Sequence, residues 1–358
     1  MGAGDDDRSA AAAQLTESAP LEVRWSVDAD SAWNGFAHRV VAVPDLDGDG
    51  SPELALSVLA ERAVEIRSGR DGALLSRFTG PESFGFELCV VPGGAQGAVA
   101  LLVAAPMAES GGLVGGRVSL HALPGGERLW SRSGDAPGDR LGSSLALASD
   151  DGFVRVSSAG AARLIELATG TDVESDLPLL PWWRDALPIG DVDGDGRADF
   201  ARSASPASGD TWTRVWSGQA AEASQAGALL HQFTGEGDDS FGWSVAPVGD
   251  LDGDGADDLI VGAPGDDHHA LDAGAVHVLS GRSGQPLHVL RGSLAEEHLG
   301  ATVGLLGDIN ADGRAEIFVT SYLHDNTGSL RTRLSVVTLP ESRGTERAVT
   351  QDHAPSRL

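Results

Sequence analysis

Four nine-residue stretches of this chain place side-chain oxygens at positions 1, 3, 5 and 9 and a glycine at position 6. The first carries Asp45, Asp47, Asp49 and Glu53; the second Asp191, Asp193, Asp195 and Asp199. The third carries Asp250, Asp252, Asp254 and Asp258; the fourth Asp308, Asn310, Asp312 and Glu316. So many oxygens on a short loop form a cage for a hard cation, and Ca²⁺ suits it better than Mg²⁺, which needs tighter octahedral geometry. Gly50, Gly196, Gly255 and Gly313 allow the positive φ of a sharp turn. An EF-hand would need a glutamate at position 12. Leu56, Arg202, Val261 and Val319 stand there instead, so that reading is rejected. The expectation is about four Ca²⁺ sites, the fourth weaker because Asn310 removes one charge. Their role would be to lock turns and not to catalyse.

Other chemistry is sparse. No H-E-x-x-H, G-x-S-x-G or Walker-type motif occurs. His268 and His269 sit beside Asp266 and Asp267 and read first as a solvated loop. Ser143, Ser144, Ser157 and Ser158 lack an evident His and Asp arrangement. Cys89 lies in an apolar run and reads as a small core residue. All 25 basic residues are arginine, which excludes lysine Schiff-base chemistry. Trp182, Trp183, Trp212 and Trp216 fall close together and either pack in a core or stack on sugars. Trp25 and Trp130 are expected on outer strands, in structural roles. The expectation is a protein without enzymatic activity.

The formal charge is -28, from 53 acidic and 25 basic residues. Such a chain repels phosphate backbones, so nucleic-acid binding is disfavoured, as is contact with anionic membranes. One cysteine excludes an intrachain disulfide. No apolar run is long enough to span a bilayer, so direct membrane insertion is not expected. The first residues lack the basic and apolar regions of a signal peptide.

The loops must be positioned by something, and the flanking sequence shows what. Nine residues upstream of each loop stands a large apolar residue: Phe36, Trp182, Phe241 or Leu299. Phe84-Gly85 and Leu141-Gly142 repeat that pair without an acidic loop, having Pro92–Gly97 and Asp150–Gly152 in its place. The six starts are 41 to 59 residues apart, a spacing found in blade-type repeats. Short apolar stretches at 244–248, 259–262, 274–279 and 287–290 predict four strands for one unit; 54–57, 63–67 and 74–78 echo three of them. The last unit supplies three strands, ending at 334–339, and an unpaired one stands at 21–27. The two ends can therefore pair and remove an open edge. The reading is all-β: a closed β-propeller of four-stranded blades, six in number, with seven, a β-solenoid or two β domains as alternatives. The propeller is expected over 21–340, after a disordered lead at 1–20 and before a polar tail at 341–358.

Phe241-Gly242, the loop Asp250–Asp258 and Gly262-Ala263-Pro264 together resemble an FG-GAP repeat. The chain resembles the integrin α-subunit N-terminal propeller and its bacterial FG-GAP relatives. The resemblance implies that each loop joins the first two strands of a blade and holds Ca²⁺ on one rim. It also implies an extracellular, periplasmic or cell-surface adhesion-like module with a protein or glycan ligand. Departures are the six units where integrins usually have seven blades, Ala37 and Trp183 where the pair has glycine, and no von Willebrand-type insert. The alternatives are a glycan-binding lectin using Trp182, Trp183 or Trp212, and a propeller enzyme or accessory domain acting on glycans or phosphoesters.

Overall fold

The computed structural model describes residues 22–30, 34–91, 99–110, 112–147, 152–159, 162–173, 187–204, 211–218, 228–235, 238–324 and 329–339. The lead, the tail, Trp182, Trp183, Pro92–Gly97 and Asp150–Asp151 lie outside them. Six antiparallel four-stranded sheets and a small two-stranded one, Glu109–Ser110 with Leu113–Val114, make up the described residues, and the only described helix is a single 3₁₀ turn, Leu59–Glu61. The fifth blade shows the plan. Ser244–Gly249, Asp258–Ala263, Ala275–Leu279 and Pro286–Arg291 pair in chain order from the axis outward. The second strand is wholly buried, because it is covered on both faces by neighbouring sheets. Its residues accordingly read as an unbroken apolar run and not as an alternation.

Innermost strands touch one another around the axis: Phe36–Val43 meets Glu87–Val91, which meets Ser144–Leu147. Ser244–Gly249 meets Val303–Gly307, which meets Phe36–Val43 in turn. Apolar side chains fill the wedges between blades. Phe36, Leu54 and Leu56 of the first blade pack with Leu306, Phe318 and Leu334 of the last. The residues that open the units, Phe36, Phe84, Leu141, Phe241 and Leu299, are all buried.

The ring closes as the strand count predicts. Glu22–Asp28 pairs antiparallel with Leu330–Thr338, so the chain's start supplies the outer strand of the sixth blade. Asp28 and Arg333 hold this seam through two hydrogen bonds, at 2.6 and 2.9 Å.

Outer strands also latch blades to their neighbours at four of the six junctions among the described residues. Trp25 on the closing strand donates its indole N–H to the Gly69 carbonyl of the first blade at 2.7 Å. Trp130 does the same to Leu167 at 2.7 Å, Ser76 bonds the Pro124 carbonyl at 2.5 Å, and His231 meets Gly281 at 2.5 Å. Each acceptor lies in the turn between the third and fourth strands of the following blade. The sixth blade has no such turn, and the equivalent His288 is left with a buried ring nitrogen that has no partner. The outer-strand tryptophans are therefore structural, as their positions suggested.

Gly72 sits in the turn that Trp25 covers, at φ +76, where an added Cβ would come within 2.7 Å of the indole. Gly72→Ala therefore combines a strained φ with a clash against the latch and is expected to cost about 2–4 kcal/mol in denaturant unfolding. Gly112→Ala has a similar φ of +82 but open space around it. It should cost about 1 kcal/mol. Equal costs at the two positions would show that the latch contributes nothing.

Candidate metal loops

Each acidic loop joins the first and second strands of its blade: Asp45 to Glu53, Asp191 to Asp199, Asp250 to Asp258 and Asp308 to Glu316. The position-6 glycines take φ of +84 to +87, as the turn demands. The first acid organises the loop by accepting backbone N–H groups. Asp45 accepts from Gly48 at 2.7 Å and Gly50 at 3.0 Å. Asp191, Asp250 and Asp308 accept from Gly196, Gly255 and Gly313 at 2.7, 2.9 and 2.9 Å. Position 3 then accepts the N–H of position 5, as in Asp47 to Asp49, Asp193 to Asp195 and Asp252 to Asp254 at 3.0 to 3.1 Å. The first acid of each loop accepts on both of its oxygens and the position-3 acid on one, and each carboxylate keeps further lone pairs to offer an ion.

Position 9 differs in kind. Glu53, Asp258 and Glu316 begin the second strands, Asp199 directly precedes one, and all four have 0% exposure. Each accepts the N–H of position 2: Leu46 at 2.7 Å, Val192 at 2.8 Å, Leu251 at 2.8 Å and Ile309 at 3.0 Å. The second oxygen of Asp199 accepts from Gly218 N–H at 2.7 Å, and that of Asp258 from Gly281 N–H at 3.0 Å. Glu53 has no such partner, and its Oε1 is buried without a hydrogen bond. Burial raises the Glu53 carboxyl to about 7, with the charges of Asp47, Asp45 and Asp49 adding to the shift. Burial likewise raises Asp258 to about 6 and Asp199 above its ordinary value. A buried carboxylate among carboxylates wants a cation.

The structure brings most of the expected ligands together. Asp45, Asp47, Asp49 and Glu53 each offer an oxygen within 4.8 Å of the others; so do Asp191, Asp193 and Asp199, and Asp250, Asp252 and Asp254. Asp195 and Asp258 stand outside those groups. No such group forms from Asp308, Asp312 and Glu316 among the described residues. The first loop fits a divalent ion best, since Glu53 Oε1 is the atom an ion would satisfy.

Arginine is the feature that loop spacing did not reveal. Arg24, on the closing strand, reaches Asp312 Oδ2 at 2.8 Å and lies 3.5 Å from Glu316 Oε1. Arg314 reaches the same Asp312 oxygen at 3.0 Å and holds that carboxyl down at about 2.

On the opposite side of the second strands, Asp238, Asp239, Asp266, Asp267 and His268 line a cavity of about 240 Å³. Asp266 accepts the His268 N–H at 3.0 Å and Asp267 the Asp272 N–H at 2.6 Å, so both serve the loop itself. His268 and His269 are exposed. Cys89 is half-buried, and burial pushes its thiol up to about 11, which makes it a poor nucleophile. Ser143 donates its hydroxyl to the Arg140 carbonyl at 2.7 Å.

Comparison with known proteins agrees with this geometry. Residues 241–279 match the FG-GAP repeat family. The chain is similar to integrin alpha-E of Mus musculus, 33% identical over 159 residues, which is 40% of this chain and 13% of that protein. The match therefore spans a small part of the relative's length.

The raised carboxyls set a pH dependence whose sign is fixed. A carboxyl raised on folding binds its proton more tightly in the folded state. Metal-free protein then loses stability as pH rises from 5 to 7, through Glu53 and Asp258. His277, which burial holds down at about 4, acts the opposite way, losing stability as pH falls below its ordinary value. It acts alike with and without calcium and cancels in the difference. The melting-temperature gain from Ca²⁺ over EDTA should thus be larger at pH 7 than at pH 5. An equal gain at both would mean that these carboxylates do not meet the ion.

Proposed function

We propose that this integrin-like FG-GAP propeller is a calcium-stabilised, non-enzymatic interaction module working outside the cell or at its surface. The observation that carries the calcium reading is Glu53 Oε1, buried and without a partner inside a ring of three further carboxylates. Asp45, Asp47, Asp49 and Glu53 would hold one ion; Asp191, Asp193 and Asp199, with Asp195 nearby in sequence, a second; Asp250, Asp252 and Asp254, with Asp258 beneath them, a third. Bound ions would neutralise mutual repulsion and fix each inner hairpin, leaving the other rim of the ring to meet a partner. Loops of this type match millimolar calcium, which exists outside cells and not in the cytosol.

A net charge of -28 favours a neutral or basic contact surface on a protein partner. Among the described residues no helix is long and apolar enough to cross a membrane. The lectin reading gains nothing from Trp212, because the Arg214 guanidinium covers its ring at 4.3 Å. The Ser143 hydroxyl donates to a backbone carbonyl and burial raises the Cys89 thiol, so neither offers a ready nucleophile.

Calcium at a hundredfold above its dissociation constant stabilises by about 2.7 kcal/mol per site. EDTA should therefore lower the melting temperature by several degrees, and added Ca²⁺ should restore it. Glu53→Gln should shrink the response without abolishing it. A melting curve that ignores EDTA contradicts the calcium reading. Binding to a panel of extracellular proteins, strong in Ca²⁺ and lost in EDTA, is the result expected of the module; hits confined to a glycan array would contradict a protein partner.

A further inference from the structure

The fourth loop does not fit the ion that its spacing implies. Asp312 Oδ2 already accepts from Arg24 Nη2 at 2.8 Å, Arg314 Nη2 at 3.0 Å and Asn310 Nδ2 at 3.1 Å. Glu316 Oε1, the counterpart of the unpartnered Glu53 oxygen, accepts from Thr338 Oγ1 at 2.8 Å and Asn310 Nδ2 at 3.3 Å. Arg24 Nε lies 3.5 Å from that same oxygen. Asn310 turns its amide N–H₂ and not its oxygen toward the acids, while its Oδ1 accepts the Asp312 N–H at 2.8 Å. Cations and donors thus surround the two oxygens that an ion would need.

Internal comparison of the blades sharpens this. The outer strand carries a bulge, an extra unpaired residue, in five of the six blades. That residue is Leu75, Leu129, Leu230 and Leu287 in four of them. In the sixth blade the register breaks between Val23 and Trp25, so the extra residue is Arg24. Bulges re-aim a side chain. Here the re-aimed side chain is a guanidinium, in the one blade whose loop has asparagine for aspartate at position 3. The two departures are complementary: one carboxylate is lost and a fixed cation is gained.

We infer that Arg24 of the ring-closing strand, with Arg314, takes the place of the divalent ion in the fourth loop. That loop is then closed by the chain itself, and the seam of the ring does not depend on calcium. Glu22 tightens the arrangement, pairing with Arg24 at 3.3 Å and with Arg314 at 3.0 Å. The contrast with the other loops rests on their calcium reading; the Arg24 clamp itself does not.

Hydrogen exchange read by mass spectrometry on the full chain, with Ca²⁺ and with EDTA, separates the two. Exchange in 45–53, 191–199 and 250–258 should accelerate by about tenfold or more in EDTA, while 308–316 should change by less than about twofold. Arg24→Leu, which installs the residue of the other blades, should accelerate 308–316 on its own and make its protection respond to calcium. The wild-type readout needs no variant, and Arg24→Gln offers a milder one should the leucine form fail to fold. Acceleration of all four loops in EDTA overturns the inference. If no loop responds to EDTA, the calcium reading of the other three fails. The clamp is still decided by whether Arg24→Leu or Arg24→Gln loosens 308–316, and unchanged protection there overturns it.

Discussion

A carboxylate sealed from water must find a counter-charge or a donor, and this ring repeats that problem four times. Glu53, Asp199, Asp258 and Glu316 all stand at the entry to second strands with 0% exposure. Burial of an unpaired carboxylate costs several kcal/mol, so each blade needs an answer. Asp199 and Asp258 lean on the N–H groups of Gly218 and Gly281. Glu316 uses Thr338, Asn310 and Arg24. Glu53 uses an N–H for one oxygen and nothing for the other. In the first three loops the surrounding acids deepen the need, and a divalent cation would meet it. The second blade avoids the problem. Its equivalent strand begins with buried Ala100, paired to Val91 as Glu53 is to Val43, and its connecting segment carries no acids.

The loops sit within a ring that other interactions define. Apolar wedges such as Phe36 and Leu54 against Phe318 and Leu334 bind first blade to last. Outer-strand donors such as Trp25 and Trp130 fasten four of the sheets to the next blade's turn. Acidic loops on the inner hairpins and latches on the outer strands lie at opposite edges of the blades. The second and third blades retain four strands without the acidic motif, so the loop does not create the blade.

Much of this was legible in residue order. Loop spacing, the position-6 glycines and the apolar second strands located the hairpins, and the count of strands at the two ends predicted the pairing of Glu22–Asp28 with Leu330–Thr338. Local pattern suffices there because each element is specified by its own neighbours. Arg24 was not legible, because it meets Asp312 across 288 positions of chain. The fourth loop was expected to be a weaker ion site on the strength of Asn310 alone. A signal existed: Arg24 occupies the slot where other outer strands place leucine, but that slot is visible only once the bulges align the strands. The differing fates of the four buried acids were hidden for the same reason. Whether a carboxylate meets Gly218, Gly281 or no donor depends on how a distant turn folds over it.

An anomalous difference map from crystals grown in calcium would test the central claim most directly. The account predicts peaks at the first three loops, with Glu53 Oε1 at about 2.3–2.6 Å from the first ion, and a guanidinium in place of a peak at the fourth. A first loop that binds no ion, its Glu53 oxygen satisfied instead by a protein donor, would contradict it.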